Sequence, residues 1–450
     1  MSKTIFITSF HVLISRNILS TAIIPILQWG GVRIVVLVPE YKKDYFEKHF
    51  AGSNIIIEGI PANQPSQRLF GLMFKRLFQM MLPTRSIRIL QGYRIYLGKG
   101  RWYRLFYGLA QFLGRRLWVI RMARFLDFHL SPRGTFRAPL EHYRPDIVFS
   151  TDVQNENDVV LMHDARRRRI PIVGMVRSWD NLTVLGLIRF LPDRLLVTSE
   201  TMRAEAVRYN GVRPERISVV GIPHYDRYLT SPKLPRQEFF EKIHMDLTRP
   251  LIFYTPIGDL YIEDNDVDRT VLDILATFDA NVIVRFPPAD TVSNLKGFRR
   301  PPRMFFDIPG VGFERGGVGA REVSPEDDTF LMNALYHSDL VVTGPSTIAV
   351  EAALFDKPII LINFQRSGRP YFGQVYGYDY DHMRYILKSG GVRVVRTERE
   401  LREWIDRYLA DPSRDREGRA RIVETVCWRR DAQSSQRVAR AVLAALEEQP

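Results

Sequence analysis

The chain has 450 residues, of which 45% are hydrophobic, and a net charge of +14. This length and apolar content exclude a disordered protein and predict two or three domains. The single cysteine, Cys427, excludes an internal disulfide and a thiolate zinc cluster, and it is typical of a reducing, cytoplasmic compartment. We expect no signal peptide and no membrane-spanning helix, because no stretch reaches the roughly 18 uninterrupted apolar residues that such a helix needs.

The first half of the chain alternates short β-branched runs with helical segments. Such alternation predicts a parallel sheet that helices cover on both faces. The predicted strands are residues 4–8, 32–38, 54–58, 147–150, 171–176, 194–198 and 217–220.

A basic and aromatic window interrupts this alternation, and we predict a mostly helical insert over residues 59–137. Between Gly59 and Leu126 there is no Asp or Glu, whereas arginines and lysines are interleaved with aromatic residues such as Trp102 and Trp118. Arginine with aromatic residues and without acids favours an anionic membrane surface as the partner. A basic face that is merely solvated is the second interpretation, and nucleic acid is a distant third that we do not expect.

A proline-containing linker at residues 231–235 separates this half from a second alternating series. We therefore predict an α/β protein with two Rossmann-like, doubly wound domains that face one another across a cleft. The predicted domains are residues 1–235 and 236–415, and a helical segment at 416–450 packs back toward the first domain. The second-half strands are residues 251–254, 282–285, 340–342, 358–362 and 392–395.

Polar residues that follow the first-half strands are candidates for catalysis. His11 follows the first strand, and histidine titrates near neutral pH, so His11 is our candidate for the base that deprotonates an acceptor hydroxyl. The alternative is a histidine that only hydrogen-bonds its own loop. Asp152 and Asp180 also follow strands, and either could be the base or could orient acceptor hydroxyls. Trp179 could stack on a sugar ring, although a packed side chain in an Asx-type turn is the favoured interpretation.

Residues 340–362 predict a strand, a tight turn, a short helix and a second strand. Gly344 and the proline after it end the first strand, and Ser346 or Thr347 caps the helix. The helix N-terminus would present its amides to an anion, with Glu351 about one turn further on and within reach of ribose hydroxyls. An ordinary βαβ unit is the alternative, but it leaves a carboxylate inside an apolar helix unexplained.

Two further residues of the second half could contact a phosphate. Gly258 would allow a close backbone approach, and the fork of Arg285 matches oxyanion geometry. An acidic run and a D-x-D pair could hold Mg²⁺, but such patterns more often belong to solvated loops, so we predict no metal. These acidic residues are Glu263, Asp264, Asp266, Asp268, Asp379 and Asp381.

Several catalytic motifs are absent from the sequence. There is no GxxxxGK[ST] loop, no GxSxG elbow, no HExxH helix and no GxGxxG fingerprint after the first strand. These absences argue against P-loop NTPases, α/β-hydrolases, zincins and most dinucleotide enzymes.

The segment around Gly344-Pro345-Ser346-Thr347, with Glu351 and Pro358, resembles the donor site of GT-B nucleotide-sugar glycosyltransferases of bacterial surface-polysaccharide synthesis. It is similar in particular to CDP-glycerol glycerophosphotransferase-like enzymes and more remotely to UDP-N-acetylglucosamine 2-epimerases. In these enzymes the turn binds the diphosphate and the glutamate binds ribose. One departure is Pro287, which fills the place of the histidine in an Arg-x-His-Pro motif and thereby favours a sugar donor over glycerol phosphate. The motifs Ser9-Phe10-His11 and Arg177-Ser178-Trp179-Asp180-Asn181 also match the group.

The resemblance implies a metal-independent GT-B glycosyltransferase with a nucleotide diphosphate sugar as co-substrate and no cofactor. Donor phosphates would bind Ser346, Thr347 and Arg285, ribose would bind Glu351, and the base would be His11 or Asp152. The acceptor would be a hydroxyl of a lipid-linked cell-envelope glycan, and the enzyme would lie in the cytoplasm on the inner face of the membrane. The alternatives are a glycerophosphotransferase, an epimerase, and a membrane-surface or RNA-binding module on an inactive GT-B body.

Overall fold

The chain folds into two compact units. The first unit comprises Met1–Leu229 together with Cys427–Pro450, and the second comprises Thr230–Val426. The computed structural model describes residues 2–61, 69–131, 133–259, 266–288, 291–313, 321–364, 375 and 377–448.

Nineteen α-helices are assigned within these described residues. They are α1 (Ile23–Trp29), α2 (Lys43–Phe50), α3 (Leu69–Met81), α4 (Arg85–Tyr96), α5 (Arg101–Leu113), α6 (Leu117–Leu130), α7 (Arg137–Tyr143), α8 (Glu156–Arg167), α9 (Asn181–Val184), α10 (Glu200–Asn210), α11 (Pro223–Thr230), α12 (Arg236–Lys242), α13 (Val267–Leu275), α14 (Pro325–His337), α15 (Ile348–Leu354), α16 (Met383–Lys388), α17 (Glu398–Ala410), α18 (Arg416–Ile422) and α19 (Ser434–Glu447). Of the described helices, none is both long and apolar enough to span a membrane.

The first unit is built on a parallel sheet of seven strands in the order β3-β2-β1-β4-β5-β6-β7. Ile5 of the central strand lies beside Ile34 and Ile147 of the two neighbouring strands, and all three side chains are buried in one core. The strand order reverses between β1 and β4, as in doubly wound folds. The strands are β1 (Thr4–Thr8), β2 (Arg33–Pro39), β3 (Ile55–Ile60), β4 (Ile147–Ser150), β5 (Ile172–Met175), β6 (Arg194–Val197) and β7 (Ile217–Val219).

The helices α3–α6 lie between β3 and β4 in the chain and form an insert with its own apolar core, which includes Phe78, Ile87 and Ile120. A buried ion cluster ties the insert to the rest of the unit. Arg189 donates twice to Asp127 of α6, at 2.8 Å each, and once to Glu156 of α8 at 2.6 Å. Removing one member would leave buried charge unpaired, which is strongly destabilising.

The second unit contains a parallel sheet of six strands in the order β10-β9-β8-β11-β12-β13. The edge strand β10 is missing from the sequence prediction, because only Met304 among its residues is fully buried and its apolar signal is therefore weak. The strands are β8 (Leu251–Tyr254), β9 (Asn281–Arg285), β10 (Met304–Asp307), β11 (Leu340–Thr343), β12 (Ile359–Ile362) and β13 (Arg393–Val395). The prediction of an α/β protein with two parallel sheets is confirmed.

The unit boundaries differ from the predicted boundaries at 235 and 415. Helix α18 stays with the second unit, where the fully buried Arg419 donates to Asp356 at 2.8 Å. Helix α19 belongs to the first unit, because Val438 and Val442 enter the core around β1. Asp226 caps α19 from another helix, since its carboxylate accepts the backbone N–H groups of residues 434 and 435 at 3.1 and 2.6 Å.

Candidate active site

Five polar side chains gather at the carboxyl edge of the first sheet. His11 follows β1, Lys42 follows β2, Asp152 follows β4, and Arg177 and Asp180 follow β5. The charges of the four neighbours all act on the ring of His11. Arg177 Nε donates to Asp152 Oδ2 at 2.8 Å. The structure therefore brings together the three catalytic candidates of the first half.

His11 is held as a neutral ring. The backbone N–H of Leu13 donates to His11 Nδ1 at 3.2 Å, so the proton of the neutral ring lies on Nε2. Burial, and then the charge of Arg177, lower the pKa of His11 to about 4. So low a pKa makes a weak proton acceptor, and the remaining nitrogen carries a proton to donate. The role of His11 as general base stays a prediction.

The two carboxylates of this group differ in availability. The side chain of Asp152 is 5% exposed, and it is ion-paired with Arg177. Asp180 is half-buried at the start of α9, and its side chain does not cap that helix. Asp180 is therefore better placed to accept a proton, and Asp152 is better placed to hold Arg177. Trp179 is buried, in agreement with the packed interpretation of this turn.

A third carboxylate, Asp158 in the first turn of α8, supports the same edge. Its Oδ1 accepts from Thr8 Oγ1 at 2.6 Å and from Ser150 Oγ at 2.7 Å, so it links the ends of β1 and β4. Burial, and then the charge of Asp152, raise the pKa of Asp158 to about 7. The sequence analysis missed this residue, although an aspartate followed by four apolar residues in a helix that follows a strand is a usable signal.

In the second unit, three of the predicted donor residues lie in the turn between β11 and α15, and a fourth lies in the first turn of α15. A Cβ on Gly344 would lie 2.9 Å from Ile257 Cγ1, which explains the glycine at this position. Ser346 Oγ accepts the N–H of Ile348 at 3.3 Å, whereas Thr347 precedes the helix without a side-chain cap. Glu351 is 1% exposed and lies in the first turn of α15.

Asp268 shapes the loop that follows β8. Its carboxylate accepts the N–H of Ile257 at 2.8 Å, the N–H of Gly258 at 3.1 Å and the hydroxyl of Tyr254 at 2.5 Å. Gly258 has a φ of 80°, a conformation that favours glycine. Asp268 is therefore a structural residue of this loop and is not available as a magnesium ligand.

The remaining acidic candidates give no metal site within the described chain. No group of three or more potential ligands is found among those residues. Glu263 and Asp264 lie outside the described ranges, so the predicted acidic run is described only from Asp266 onward.

Arg285 differs from its predicted role as a phosphate clamp. Its side chain is 6% exposed and ion-paired with Asp307 at the ends of β9 and β10. A second nitrogen donates to the carbonyl of Asp327 at 3.1 Å. The guanidinium therefore has partners inside the protein, and its role as a phosphate clamp stays a prediction.

Solved structures with a similar fold include UDP-N-acetylglucosamine 2-epimerases and glycosyltransferases. UDP-N-acetylglucosamine 2-epimerase from Neisseria meningitidis bound to UDP-GlcNAc is 10% identical, with a TM-score of 0.54 over 99% of this chain and 100% of that chain. MnaA from S. aureus in a co-structure with UDP is 12% identical, with a TM-score of 0.55 over 100% and 99%. The calicheamicin glycosyltransferase CalG4 is 13% identical, with a TM-score of 0.53 over 99% of each chain. The fold is that of the GT-B class.

Residues 320–444 match the family described as CDP-glycerol:poly(glycerophosphate) glycerophosphotransferase. The match covers a little over a quarter of the chain and includes the whole turn from Gly344 to Glu351. Together with the fold, it confirms the resemblance to GT-B, glycerophosphotransferase-like enzymes and supports a transferase. The search of curated proteins gives no match.

We predict that the His11 ring stays neutral and protonated at Nε2 between about pH 5 and pH 8. Long-range ¹H–¹⁵N spectra of ¹⁵N-histidine-labelled protein, assigned with the His11→Gln variant, measure both properties. Because the pKa of His11 is lower in the folded chain than its ordinary 6.5, protonation favours unfolding. The contribution of His11 to stability is therefore lost as the pH falls from about 6.5 toward about 4. A ring that is half-protonated near pH 6.5, or protonated at Nδ1, would contradict this assignment.

Proposed function

We propose that the protein is a glycosyltransferase that moves a sugar from a nucleotide diphosphate donor to a hydroxyl of a lipid-linked cell-envelope glycan. The observation that carries the proposal is the turn from Gly344 to Glu351, where the family match coincides with a tight glycine and a buried carboxylate. The solved structures of the same fold that contain UDP or UDP-GlcNAc support a nucleotide-sugar donor.

The donor would bind at the carboxyl edge of the second sheet. We assign the diphosphate to the backbone amides around Ser346 and Thr347 and to the loop at Gly258, whose conformation is held by Asp268. Glu351 would accept hydrogen bonds from ribose hydroxyls. We propose that these amides, and not a metal ion, stabilise the leaving diphosphate. Arg285 takes no part, because Asp307 already occupies it.

The acceptor would be activated by the polar group of the first unit. Asp180 takes the proton of the acceptor hydroxyl while the oxygen forms a bond to the anomeric carbon of the sugar. The bond from that carbon to the phosphate oxygen breaks, and the nucleoside diphosphate leaves with the electron pair. His11 offers its Nε2–H as a donor to an oxygen of the substrate, and the charge of Arg177, which Asp152 holds in place, helps to keep the ring neutral.

A second candidate is a glycerophosphotransferase, which the description of the matched family favours directly. Pro287, where those enzymes carry histidine, argues against it. The two activities are separated by supplying CDP-glycerol or nucleotide sugars with the same acceptor preparation. An epimerase, which the fold also accommodates, would convert UDP-N-acetylglucosamine without any acceptor.

Replacing Glu351 tests the donor site. We expect Glu351→Gln to weaken binding of the cognate nucleoside diphosphate by about tenfold or more, because a hydrogen bond to a charged group contributes about 1.5–3 kcal/mol. Isothermal titration with UDP, CDP, GDP and dTDP measures this loss. Glu403→Gln is the control, because Glu403 is an exposed glutamate of the same unit. If none of the four nucleotides binds, or if Glu351→Gln binds like the wild type, the donor site is wrong.

Replacing Asp180 tests the proposed base. We expect Asp180→Asn to lower kcat by about 10²–10⁴-fold with little change in nucleotide affinity, because only proton transfer is removed. His11→Gln should cost less, since glutamine keeps a donor. Asp273→Asn, on the exposed side of α13, is the matched control. Full turnover by Asp180→Asn together with an inactive His11→Gln would return the role of base to His11.

We also propose that the insert contacts the inner face of the cytoplasmic membrane. Trp102 on α5 is 77% exposed, and Phe106 and Phe112 of the same helix are exposed as well. The exposed Arg101 and Arg104 flank them in sequence and would meet anionic headgroups. Exposed aromatic residues with basic residues beside them favour a contact with lipid over the alternative of a basic face that is merely solvated.

The double variant Trp102→Glu with Phe106→Glu should lose most of its flotation with phosphatidylglycerol vesicles, because both changes place charge in the proposed apolar contact. Trp29→Glu is the control, since Trp29 is equally exposed in the same unit but lies outside the insert. A wild-type protein that does not float, yet shifts RNA in a salt-dependent gel assay, would favour the RNA-binding alternative.

A further inference from the structure

A cavity of about 400 Å³ opens beside α6 on the first unit, away from the candidate active site. Its volume is within the usual range of small-molecule sites. Arg166, in the last turn of α8, is part of its wall. The wall includes none of the five polar residues that gather at the carboxyl edge, which are His11, Lys42, Asp152, Arg177 and Asp180. The cavity is therefore a separate site.

The cavity wall contains arginines and no acidic residue among those described. Arg124 donates to the carbonyl of Ile188 at 2.9 Å and to the carbonyl of Asn210 at 3.0 Å, so its strong hydrogen bonds go to neutral acceptors. Neither Arg124 nor the exposed Arg121 forms an ion pair with any described residue. Burial, and then the charge of Arg121, lower the pKa of Arg124 to about 9.

Arg189 also lines the cavity, but its positive charge is balanced by two carboxylates. Burial disfavours its charge, but Asp127 and Glu156 at 2.8 and 2.6 Å raise its pKa. Among the described residues, no carboxylate is paired with Arg124 or Arg121. Arg124 is therefore a partly buried charge without an anion, which is costly, and the exposed Arg121 adds a second positive charge beside it, so a phosphate would be favoured at this wall.

The rest of the wall is apolar. Phe128 and Phe190 stack with ring centroids 6.0 Å apart, and Leu117 and Phe125 line the opening. Leu117 and Phe125 are themselves exposed, and the exposed Trp118 continues the apolar surface along α6. A ligand for this cavity should therefore carry a phosphate at one end and an apolar chain at the other.

We propose that this cavity binds the phosphate headgroup of a membrane lipid, with Arg121 and Arg124 on the phosphate and the lipid chain along the apolar surface of α6. The proposal rests on the proposed membrane contact for the source of the ligand. It does not depend on the proposed transferase chemistry.

The test uses dihexanoyl phosphatidic acid below its micelle concentration, so that no bilayer is present. Wild-type protein should bind it saturably in isothermal titration. We expect Arg121→Gln to weaken binding by about tenfold, because one charge-assisted contact is lost. Arg440→Gln removes the same charge from an exposed position on α19 of the same unit, outside the cavity and the insert, and should change affinity by less than about twofold. Nucleotide titration and thermal melting of each variant verify that the fold is retained.

Four results would overturn the proposal. They are no saturable binding by the wild type, equal losses in Arg121→Gln and Arg440→Gln, inorganic phosphate binding as tightly as the lipid, and displacement of the lipid by a nucleoside monophosphate. The second result would reduce the effect to general charge, the third would make the site one for a free anion, and the fourth would make it a nucleotide site. Vesicle flotation that survives any of these results would leave the membrane contact of α5 standing.

Discussion

Hydrogen bonds between strands that all run in one direction determine where the polar groups of this protein meet. In a parallel sheet the carboxyl ends of all strands lie at the same edge. The loops that follow the strands are therefore neighbours, however far apart they are in the sequence. His11, Asp152 and Asp180 share one edge for this reason. Gly344 and Glu351 take the equivalent position in the second sheet. Side chains in these loops can change without moving the site.

Buried carboxylates then give these loops their shape. Asp268 fixes the loop after β8 through two backbone amides, and Asp158 links the ends of β1 and β4. Asp307 forms an ion pair with the buried guanidinium of Arg285. A charge that is buried must be paired or hydrogen-bonded, and each of these residues meets that requirement by organising the backbone or side chains around it. The surface that remains for a ligand is therefore made largely of backbone amides and of the residues that these carboxylates leave free.

The sequence was sufficient for the features that depend on local pattern. Most strands, the helical insert and the loops that carry His11, Asp152 and Asp180 follow from apolar periodicity and turn residues. The roles of Arg285 and Asp268 could not be read in this way, because their partners are set by tertiary packing and one arginine looks the same whether it meets Asp307 or a phosphate. His11 illustrates the same limit, since its tautomer depends on a single backbone N–H two residues away. The edge strand β10 was missed because it is half exposed.

The return of α19 to the first unit has a consequence for biosynthesis. The core around β1 includes Val438 and Val442 of α19, and the carboxylate of Asp226 caps the first residues of that helix. About 200 residues of the second unit separate the two parts of the first. At about 5–20 residues per second, a ribosome needs roughly 10–40 s to make them. Throughout that time the first sheet is complete while part of its apolar surface lacks α19, so the nascent chain offers a defined binding surface to chaperones until α19 has been synthesised.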